Sequence, residues 1–484
     1  MRQFTMQRAM FIILFALLFA MATRIPVDTD TWWHIRSGEH ILNEGFIYTD
    51  PFSHTKLGET WINHSWGSQV VMYLIWQLAG NMGLAVFTAG LATGGMYFIY
   101  RSGSGNIYLR AFVLVIAAAT AAVFWSARPQ MFSFFLSTVV YYLLHLFKYK
   151  KIDRLWLLIP LMLIWGNLHA GFSIGFIIIG GFIAGEILSC IFSPNASNNI
   201  GWGGVRRLII IGFASAVALV INPYGLDMLR VPFATVSIGA LRDFIQEWNS
   251  PNFHERQTWP FIIMVVALLG AVGASSKRLS WSDFVLVSGT FFMGLLAGRN
   301  ISVFAVVAAP PIMAHLDDVF TERGWVLRPR KTVSPRMAWV NVLLTGIIVL
   351  GALAQVINIL DSEFVAEAQA DFLPVGAAEY LNEARPPGPM FNSYNWGGYL
   401  MFAAPDYPVF VDGRTDLYGD EFLTRWLRVA TGGDEWREVF TEYDIRLAVI
   451  EPQSGLARIL REENGWHVAY EDDMAVIFVR EDAS

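Results

Sequence analysis

Two carboxylates and a histidine follow the first long apolar run of this 484-residue chain. The stretch PVDTDTWWHIRSGEHIL, which begins at Pro26, contains Asp28, Asp30 and His34. Asp28 and Asp30 are one residue apart, so in an extended segment both carboxylates point to the same side. Paired carboxylates can ligate a divalent cation, or one can raise the pKa of the other so that it acts as a base. A helix starting at Asp30 would bring it beside His34.

Further polar residues stand at the ends of other apolar runs. Arg128 in WSARPQMF and Arg299 in LAGRNISVF carry planar guanidinium groups that suit a phosphate held by two hydrogen bonds. Asn167 and His169 in WGNLHAGF interrupt an apolar hairpin, and such a break is tolerated at membrane depth where it lines a protein cavity. The remaining candidates for the same cavity are His64, Tyr224 and Glu247.

Each candidate also has a structural explanation. Asp28 or Asp30 can cap a helix, and the neighbouring tryptophans can anchor that helix at the membrane interface. Arg128 can reach lipid phosphates along its aliphatic stem. The Asn-Pro-Tyr-Gly sequence around Tyr224 is by itself a turn. What favours the functional reading is that all these residues are predicted to lie on one side of the membrane.

The elements that must position these residues are membrane-spanning helices. The chain is 55% hydrophobic and 15% charged, whereas soluble domains carry about a quarter charged residues. Apolar runs long enough to cross a bilayer predict spans at 7–24, 80–100, 109–127, 130–147, 154–169, 171–192, 206–222, 259–275, 281–298, 300–316 and 338–358. The fold is thus predicted to be mainly α, a polytopic transmembrane bundle of about 11 spans, or 12 if 66–80 also crosses.

Basic residues decide between the two counts. With eleven crossings, the basic groups at Arg2/Arg8, Arg101/Arg110, Lys148–Arg154, Arg206/Arg207, Lys277/Arg278 and 323–336 all face the cytoplasm, as the positive-inside rule requires. We therefore prefer eleven, with a long outer loop at 25–79. The first run is read as an uncleaved helix rather than a signal peptide, because no clear cleavage site follows it. The candidate residues then share the outer side.

A change of composition at residue 361 predicts a second domain. Residues 361–484 contain 24 acidic residues, nine arginines and no lysine, whereas residues 1–360 contain 16 acidic and 25 basic residues. Predicted strands at 389–394, 408–414, 446–452, 466–473 and 474–482 alternate with helices at 421–444 and 454–465. This alternation predicts a small extracytoplasmic α/β domain with a mostly parallel sheet. Its acidity argues against nucleic acid, and the single Cys190 excludes a disulfide framework.

The acidic motif after the first span, the polytopic body and the outer C-terminal domain resemble the GT-C superfamily of membrane glycosyltransferases. The superfamily includes protein O-mannosyltransferases, aminoarabinose transferases and oligosaccharyltransferases. The resemblance rests on the layout and on VDTDTWWH, and loosely on WINHSWGSQVVMYLIWQLAG; YNWGGYL only faintly resembles the W-W-D-Y-G signature and lacks its Asp. It implies that an acidic residue of the first outer loop, here Asp28 or Asp30, is catalytic or binds a metal, with Mg²⁺ or Mn²⁺ as the expected ion.

The expected function is therefore transfer of a sugar from a polyprenyl-phosphate-linked donor to a glycan, lipid or protein acceptor. The transfer would take place on the outer face of the plasma (inner) membrane, among membrane lipids. Asp28, Asp30 and His34 are the catalytic candidates, and Arg128, Arg299, His169 and Asn167 the donor-phosphate ligands. A transporter or flippase of lipid-linked glycans, a polysaccharide polymerase or ligase, and a non-catalytic assembly protein are the alternatives.

Overall fold

The computed structural model describes residues 4–237, 239, 246–325 and 333–481. Of the features named above, Arg2, part of the basic segment 323–336 and Asp482 of the last predicted strand lie outside these residues. The α-helices described before residue 360 are α1 (Met6–Ala22), α2 (Asp30–Asn43), α3 (Trp66–Ser102), α4 (Ile107–Ala121), α5 (Gln130–Tyr149), α6 (Leu158–Leu168), α7 (Phe172–Phe192), α8 (Gly201–Leu219), α9 (Val231–Ser237), α10 (Trp259–Ala274), α11 (Trp281–Leu296), α12 (Ile301–Glu322) and α13 (Pro335–Ile359).

The helical bundle confirms the predicted polytopic architecture. Among the described residues, eight helices are long and apolar enough to cross a membrane, and three shorter apolar ones join them at Met6–Ala22, Leu155–Leu168 and Trp281–Leu296. These eleven helices correspond one for one to the predicted spans. Ten of them, α1, α3–α8 and α10–α12, share one large apolar core.

The segment 66–80 lies at one face of the bundle. It forms the first part of α3, which kinks at Gly80, where φ is 54° and ψ is −142°; a glycine adopts such a positive φ without strain. At the start of the segment, the Trp66 ring N–H donates to Asn167 at the end of α6. Just after the end of the segment, the Asn81 side chain bonds to Gln369, whose amide also donates to the carbonyl oxygen of Pro26, close to the end of α1. Both ends therefore lie at the same face, which fits eleven crossings rather than twelve.

Lys148 departs from its predicted place in a cytoplasmic loop. Its ammonium group is fully buried, paired with Glu186 of α7 and bonded to Ser282 of α11 at 2.6 Å. The pair joins three helices near the end of the bundle opposite the 66–80 segment. Lys148 therefore does not count toward the loop charge there, whereas Lys150 and Lys151 are exposed and do.

Over residues 361–481, the C-terminal domain has six α-helices and four strands. They are α14 (Ser362–Ala370), α15 (Val375–Ala384), β1 (Met390–Asn392), α16 (Tyr394–Ala403), α17 (Thr415–Ala430), α18 (Trp436–Glu442), β2 (Leu447–Ile450), α19 (Gly455–Glu462), β3 (Trp466–Glu471) and β4 (Val476–Arg480). The strand order is β1-β2-β4-β3, with β1 parallel to β2 and β4 antiparallel to both of its neighbours. The predicted α/β character is confirmed, but the mostly parallel sheet is wrong, because β3 and β4 form a hairpin.

The predicted strand at 408–414 is also wrong. Val409 forms an isolated parallel bridge with Ser53 of the outer loop, and the segment is otherwise an extended loop that packs against that outer loop. One face of the sheet shares a core with Trp33, Phe52 and Trp61. The opposite face packs against α17, α18 and α19. The domain is thus built onto the bundle through the outer loop.

A buried ion network holds this junction, and we call it the clamp: Asp50, Asp412, Arg414 and Tyr418. Arg414 is 1% exposed; its Nε and Nη2 donate to Asp412 at 2.8 and 2.7 Å, and its Nη1 donates to Asp50. Tyr418 donates to Asp412 at 2.8 Å, and Ser53 donates to Asp50 through both its backbone N–H and its hydroxyl. Because both carboxylates of the clamp bind the same guanidinium group and accept further hydrogen bonds, part of the cost of removing these charges from water is offset.

Candidate active site

A cavity of about 910 Å³ lies where the bundle meets the C-terminal domain, within the size range of small-molecule sites. Eight of the ten predicted site residues line it: Asp28, Asp30, His34, His64, Arg128, His169, Glu247 and Arg299. They come from the segment before α2, from α2, and from the loops that join α2 to α3, α4 to α5, α6 to α7, α9 to α10 and α11 to α12. The structure therefore brings together residues up to 271 positions apart in the chain.

Arg128 lies at the centre of three carboxylates on the cavity floor. Its Nε is 3.2 Å from Asp28 Oδ2, its Nη1 is 2.7 Å from Asp30 Oδ2, and its Nη2 is 3.0 Å from Glu247 Oε2. Nη2 also donates to Gln130 at 2.6 Å. Most of the guanidinium N–H groups are thus already used, so Arg128 holds the carboxylates in place rather than offering an open fork to a phosphate.

Asp30 begins α2, as the sequence predicts. Asp28 Oδ1 accepts the Asp30 backbone N–H at 3.1 Å, and Asp30 Oδ1 accepts from Trp33 Nε1 at 3.1 Å. The expected contact between Asp30 and His34 is thus replaced by one with Trp33. Burial raises the pKa of Asp30 to about 6 against the opposing effect of Arg128, and the nearby charge of Asp28 adds to the rise. Such a carboxylate is ionised at neutral pH and able to accept a proton.

Arg299 is the more open of the two cations. Its Nη1 is 3.5 Å from Glu247 Oε1, its one ion pair among the described residues, and its guanidinium carbon lies 4.1 Å from the centroid of the Trp248 ring. The ring fixes one face of the guanidinium group, as is common in cation–π pairs. Burial opposes ionisation of Glu247, but Arg128 and Arg299 hold its pKa below the usual value. Glu247 therefore stays charged and joins the two arginines.

His169 lies in the break between α6 and α7, where the sequence predicts a cavity-lining interruption. Its Nδ1 accepts the Gly171 backbone N–H at 3.0 Å and lies 2.7 Å from Ser133 Oγ, which accepts from Trp165 Nε1 at 2.8 Å. A backbone N–H can only donate, so Nδ1 is the acceptor and the ring proton is on Nε2. Burial, with His64 and the two arginines nearby, holds the pKa of His169 well below its usual value. His169 is thus a neutral N–H donor.

The other two histidines complete this side of the cavity. The His34 ring packs on Trp33, with 3.5 Å between centroids, and its Nδ1 lies 3.3 Å from Gln69 Nε2. The His64 ring centroid is 6.0 Å from that of His169. Burial lowers the pKa of both His34 and His64. Both rings are therefore neutral at physiological pH.

Asn167 and Tyr224 do not line the cavity, which corrects their predicted placement. Asn167 accepts from Trp66 and donates to the carbonyl oxygens of Leu163 and Ile221, so it ends α6 and joins three segments. The Tyr224 hydroxyl donates to the Ile47 carbonyl at 2.7 Å and its ring packs in an aromatic group beside the outer loop. Both residues are polar because the loops around the cavity need internal hydrogen bonds.

The C-terminal domain supplies the upper wall of the cavity, which sequence reasoning did not find. Gly413 lies so close to the floor that a Cβ atom added to it would be 2.1 Å from Asp30 Oδ1. The YNWGGYL segment has a related role: a Cβ atom on Gly398 would be 2.6 Å from the Thr29 carbonyl oxygen, so this glycine lets α16 pack against the start of α2. The paired glycines and the DGR sequence were the features in the chain that could have indicated a close approach.

No family model and no curated protein matches this chain. Solved structures do. The oligosaccharyltransferase AglB of Archaeoglobus fulgidus, in complex with an inhibitory peptide and a dolichol-phosphate, superposes with a TM-score of 0.60 at 12% identity, covering 98% of this chain and 74% of AglB. ArnT of Cupriavidus metallidurans, bound to undecaprenyl phosphate, superposes with a TM-score of 0.53 at 14% identity, covering 97% of this chain and 96% of ArnT.

Both similarities extend over nearly the whole chain, so they include the bundle, the outer loop and the C-terminal domain together. At such low identity they establish the fold and not the chemistry. With its apolar helices, the chain is an integral membrane protein. Its fold is similar to the folds of the solved AglB and ArnT structures over nearly its whole length.

Proposed function

We propose that this protein is a glycosyltransferase that moves a sugar from a polyprenyl-phosphate-linked donor to an acceptor. The observation that carries the proposal is one cavity that holds a carboxylate with a raised pKa, Asp30, and a largely open guanidinium group, Arg299. A base for the acceptor and a cation for the leaving phosphate are the two groups that such a transfer needs. The GT-C fold is consistent with this chemistry.

The donor's lipid chain has an apolar wall to bind. On the side of the helical bundle, the cavity is also lined by apolar residues of α5, α7, α11 and α12: Phe134, Ile174, Ile177, Met293 and Val303. An isoprenoid chain is apolar, as this wall is, and can pack against it. The phosphate group of a donor bound in this way would then lie beside Arg299. The presence of dolichol-phosphate in the AglB structure and of undecaprenyl phosphate in the ArnT structure supports a donor of this class.

The proposed step exchanges one bond at the anomeric carbon for another. The acceptor oxygen forms a bond to the sugar's anomeric carbon, and the bond from that carbon to the phosphate oxygen breaks, its electron pair leaving with the polyprenyl phosphate. The acceptor's proton passes to the Asp30 carboxylate. Such general-base catalysis accelerates a reaction by on the order of 10²–10⁴-fold. Arg299 and the Nε2–H of His169 stabilise the charge that develops on the phosphate.

The remaining residues position these groups. Arg128 holds the Asp30 carboxylate and Asp28 accepts the Asp30 backbone N–H, whereas assistance by His34 stays a prediction. A divalent metal on Asp28 and Asp30 does not fit the residues present: among the described residues no three His, Cys, Asp or Glu side chains form a ligand group, and both carboxylates already bind Arg128. We therefore assign no step to a metal ion, and activity in EDTA with and without added Mg²⁺ or Mn²⁺ tests this.

We further propose that the cavity faces the extracytoplasmic side. Helix α5 begins at the cavity with Gln130 and, with about 1.5 Å of rise per residue, ends about 30 Å away at Tyr149. The exposed Lys150 and Lys151 follow at that far end, where the positive-inside rule places the cytoplasm. A phosphatase or fluorescent reporter fused after Ser484 tests this: phosphatase activity is expected, and cytoplasmic fluorescence would reverse the orientation.

The proposed activity is tested with the purified protein in lipid nanodiscs, with polyprenyl phosphates that carry radiolabelled pentoses or hexoses as donors and a mixture of glycans, lipids and peptides as acceptors. We expect cleavage of at least one donor by the wild type, loss of cleavage in Asp30→Asn, and a higher donor KM in Arg299→Ala. If no donor is cleaved, or if Asp30→Asn cleaves as fast as the wild type, the proposal is wrong. Movement of intact donor across a proteoliposome membrane, without bond cleavage, would indicate a flippase instead.

A further inference from the structure

The upper wall of the cavity is formed by the C-terminal domain, and three of its side chains carry chemistry. We call them the roof: Tyr394 at the start of α16, and Asp416 and Trp426 of α17. They face the same cavity as Asp30 and Arg299, from the side opposite the apolar wall that suits the lipid. A molecule bound to the roof would therefore approach the reacting centre from the side away from the lipid.

The roof is held rigidly relative to Asp30. Asn392 accepts the Phe410 N–H at 2.7 Å and donates to the Val411 carbonyl at 2.8 Å, and the clamp fixes Arg414 just beyond. Between these fixed points, Gly413 lies directly against Asp30. Trp61 of the outer loop donates to Asp416 at 3.2 Å. A ligand on the roof would thus be positioned relative to the base by the fold itself.

The aromatic pair of the roof offers ring surface rather than polar atoms. The rings of Tyr394 and Trp426 lie 5.8 Å apart at 48°. The one polar atom of Trp426, Nε1, already donates to the Asn392 carbonyl at 3.1 Å. What Trp426 adds to the cavity is therefore its ring, which suits an apolar surface such as the C–H face of a sugar.

The polar atoms of the roof suit hydroxyl groups. Burial, together with carboxylates on both sides, raises the pKa of Tyr394 well above its usual value, so its phenol keeps its proton and can donate. Asp416 Oδ2 accepts from Trp61, and its other oxygen has no hydrogen-bond partner among the described residues. A neutral donor and a charged acceptor beside an aromatic ring match the alternating hydroxyl groups of a sugar.

The charge of the roof disfavours anionic acceptors. Arg414 is the one arginine that the domain contributes to the cavity lining in the described structure, and both Asp50 and Asp412 bind it in the clamp. The roof therefore has no free cation for a lipid phosphate, and Asp416 repels one. An amide nitrogen is also a poor nucleophile, because its lone pair is delocalised into the carbonyl group, whereas a hydroxyl group needs only a base such as Asp30 to take its proton.

We propose that Tyr394, Asp416 and Trp426 form the acceptor subsite and that the acceptor is a carbohydrate that reacts through a hydroxyl group. This inference rests on the proposed function and specifies its second substrate. The sugar ring packs on Trp426 while Tyr394 and Asp416 bind its hydroxyl groups. One hydroxyl loses its proton to Asp30 and forms the new glycosidic bond, and the polyprenyl phosphate leaves with the electron pair of the bond that breaks.

The test uses the full-length protein in nanodiscs with a radiolabelled polyprenyl-phosphate sugar and three kinds of acceptor: labelled oligosaccharides, a labelled peptide and phosphatidylethanolamine. We expect product on an oligosaccharide. Trp426→Ala and Asp416→Asn should each raise the acceptor KM by about tenfold or more and lower the ratio of transfer to donor hydrolysis, with the donor KM unchanged. Trp426→Phe, which keeps an aromatic ring, should recover most of the transfer.

The controls separate this inference from folding and from the proposed function. Asp473→Asn removes an exposed carboxylate of the same domain outside the cavity and should behave as the wild type. Each variant is compared with the wild type by size-exclusion profile and thermal unfolding. Transfer to the peptide or the lipid but to no oligosaccharide, or unchanged acceptor KM in both folded variants, would overturn the inference while leaving the proposed function intact. Absence of any donor cleavage by the wild type would overturn the proposed function.

Discussion

Gly413 of the C-terminal domain and Asp30 of the outer loop are in direct contact, and a side chain on Gly413 would overlap the Asp30 carboxylate. The backbone of residue 413 thus forms part of the surface around the proposed base, although the two residues are 383 positions apart in the chain. The position of Asp30 depends on a domain that lies outside the helical bundle.

Gly413→Ala is expected to lower activity without unfolding the protein. The added methyl group would have to displace Asp30 or the 411–416 loop, since 2.1 Å is shorter than any tolerated contact. A displacement of about 1 Å at a reacting group can cost on the order of 100-fold in rate. The measurement is kcat for transfer beside the thermal unfolding midpoint. Gly351→Ala, where a Cβ atom meets open space within α13, is the matched control and should keep wild-type activity.

Activity should fall on the acidic side of a pKa of about 6. Burial raises the pKa of Asp30 to that value, so the carboxylate is mostly ionised at pH 7 and mostly protonated at pH 5. A base must be ionised to accept a proton, so kcat/KM should decrease by about tenfold per pH unit below pH 6. The profile is measured between pH 4.5 and 8.5. A profile that stays flat down to pH 4.5 would contradict the assignment of Asp30 as the base.

Ser133→Ala tests how the proton of His169 is placed. The variant removes the hydroxyl that links Trp165 to His169 Nδ1 and leaves the Trp165 N–H without its partner. We expect kcat to fall by about tenfold or more with a small change in donor KM, because the His169 ring loses one of the two hydrogen bonds that orient its Nε2–H donor, while the Gly171 N–H still fixes the tautomer. Thr138→Val, which removes a buried hydroxyl of the same helix bonded within that helix, is the control. Equal effects of the two variants would indicate loss of packing alone.

Arg414→Met should destabilise the junction between the domain and the outer loop. It would leave Asp50 and Asp412 buried without their cation, and breaking a buried ion pair from one side costs about 3–5 kcal/mol of unfolding free energy. Limited proteolysis and hydrogen exchange of residues 44–64 and 405–420 would report the change. Arg437→Gln, which breaks an exposed pair with Glu463, should cost about 1 kcal/mol or less. The triple change Arg414→Met, Asp50→Asn and Asp412→Asn should recover part of the loss.

The sequence was sufficient to predict the spans and most of the cavity floor. Hydropathy locates each apolar helix, and a polar residue at the end of such a helix is rare enough to be noticed, which is how Arg128, His169 and Arg299 were found. The loop lysines and arginines then place these ends on one side. This reasoning failed for Asn167 and Tyr224 because hydrogen bonds within loops need the same polar residues as a cavity does.

The sequence could not predict the roof or the clamp. The pairing of Asp50 with Arg414 joins residues 364 positions apart, and no local spacing connects them. The segment 408–414 is predicted to be a strand because it is short and rich in β-branched and aromatic residues. In the structure Val409 bridges Ser53 of the outer loop, while Phe410 and Val411 pack in the core beneath the sheet without joining it. The sequence also could not predict that the sheet is mostly antiparallel, because the direction of a strand relative to its neighbours depends on which distant strands pair with it.

The clamp also has a consequence for turnover. Swinging the C-terminal domain away from the bundle would separate Asp50 from Arg414 and expose a shared apolar core, so an open form would be too rare to carry each catalytic cycle. We expect substrates and products to enter and leave the cavity without such a domain movement. The size of the substrate, rather than the rate of a hinge movement, would then determine which molecules react.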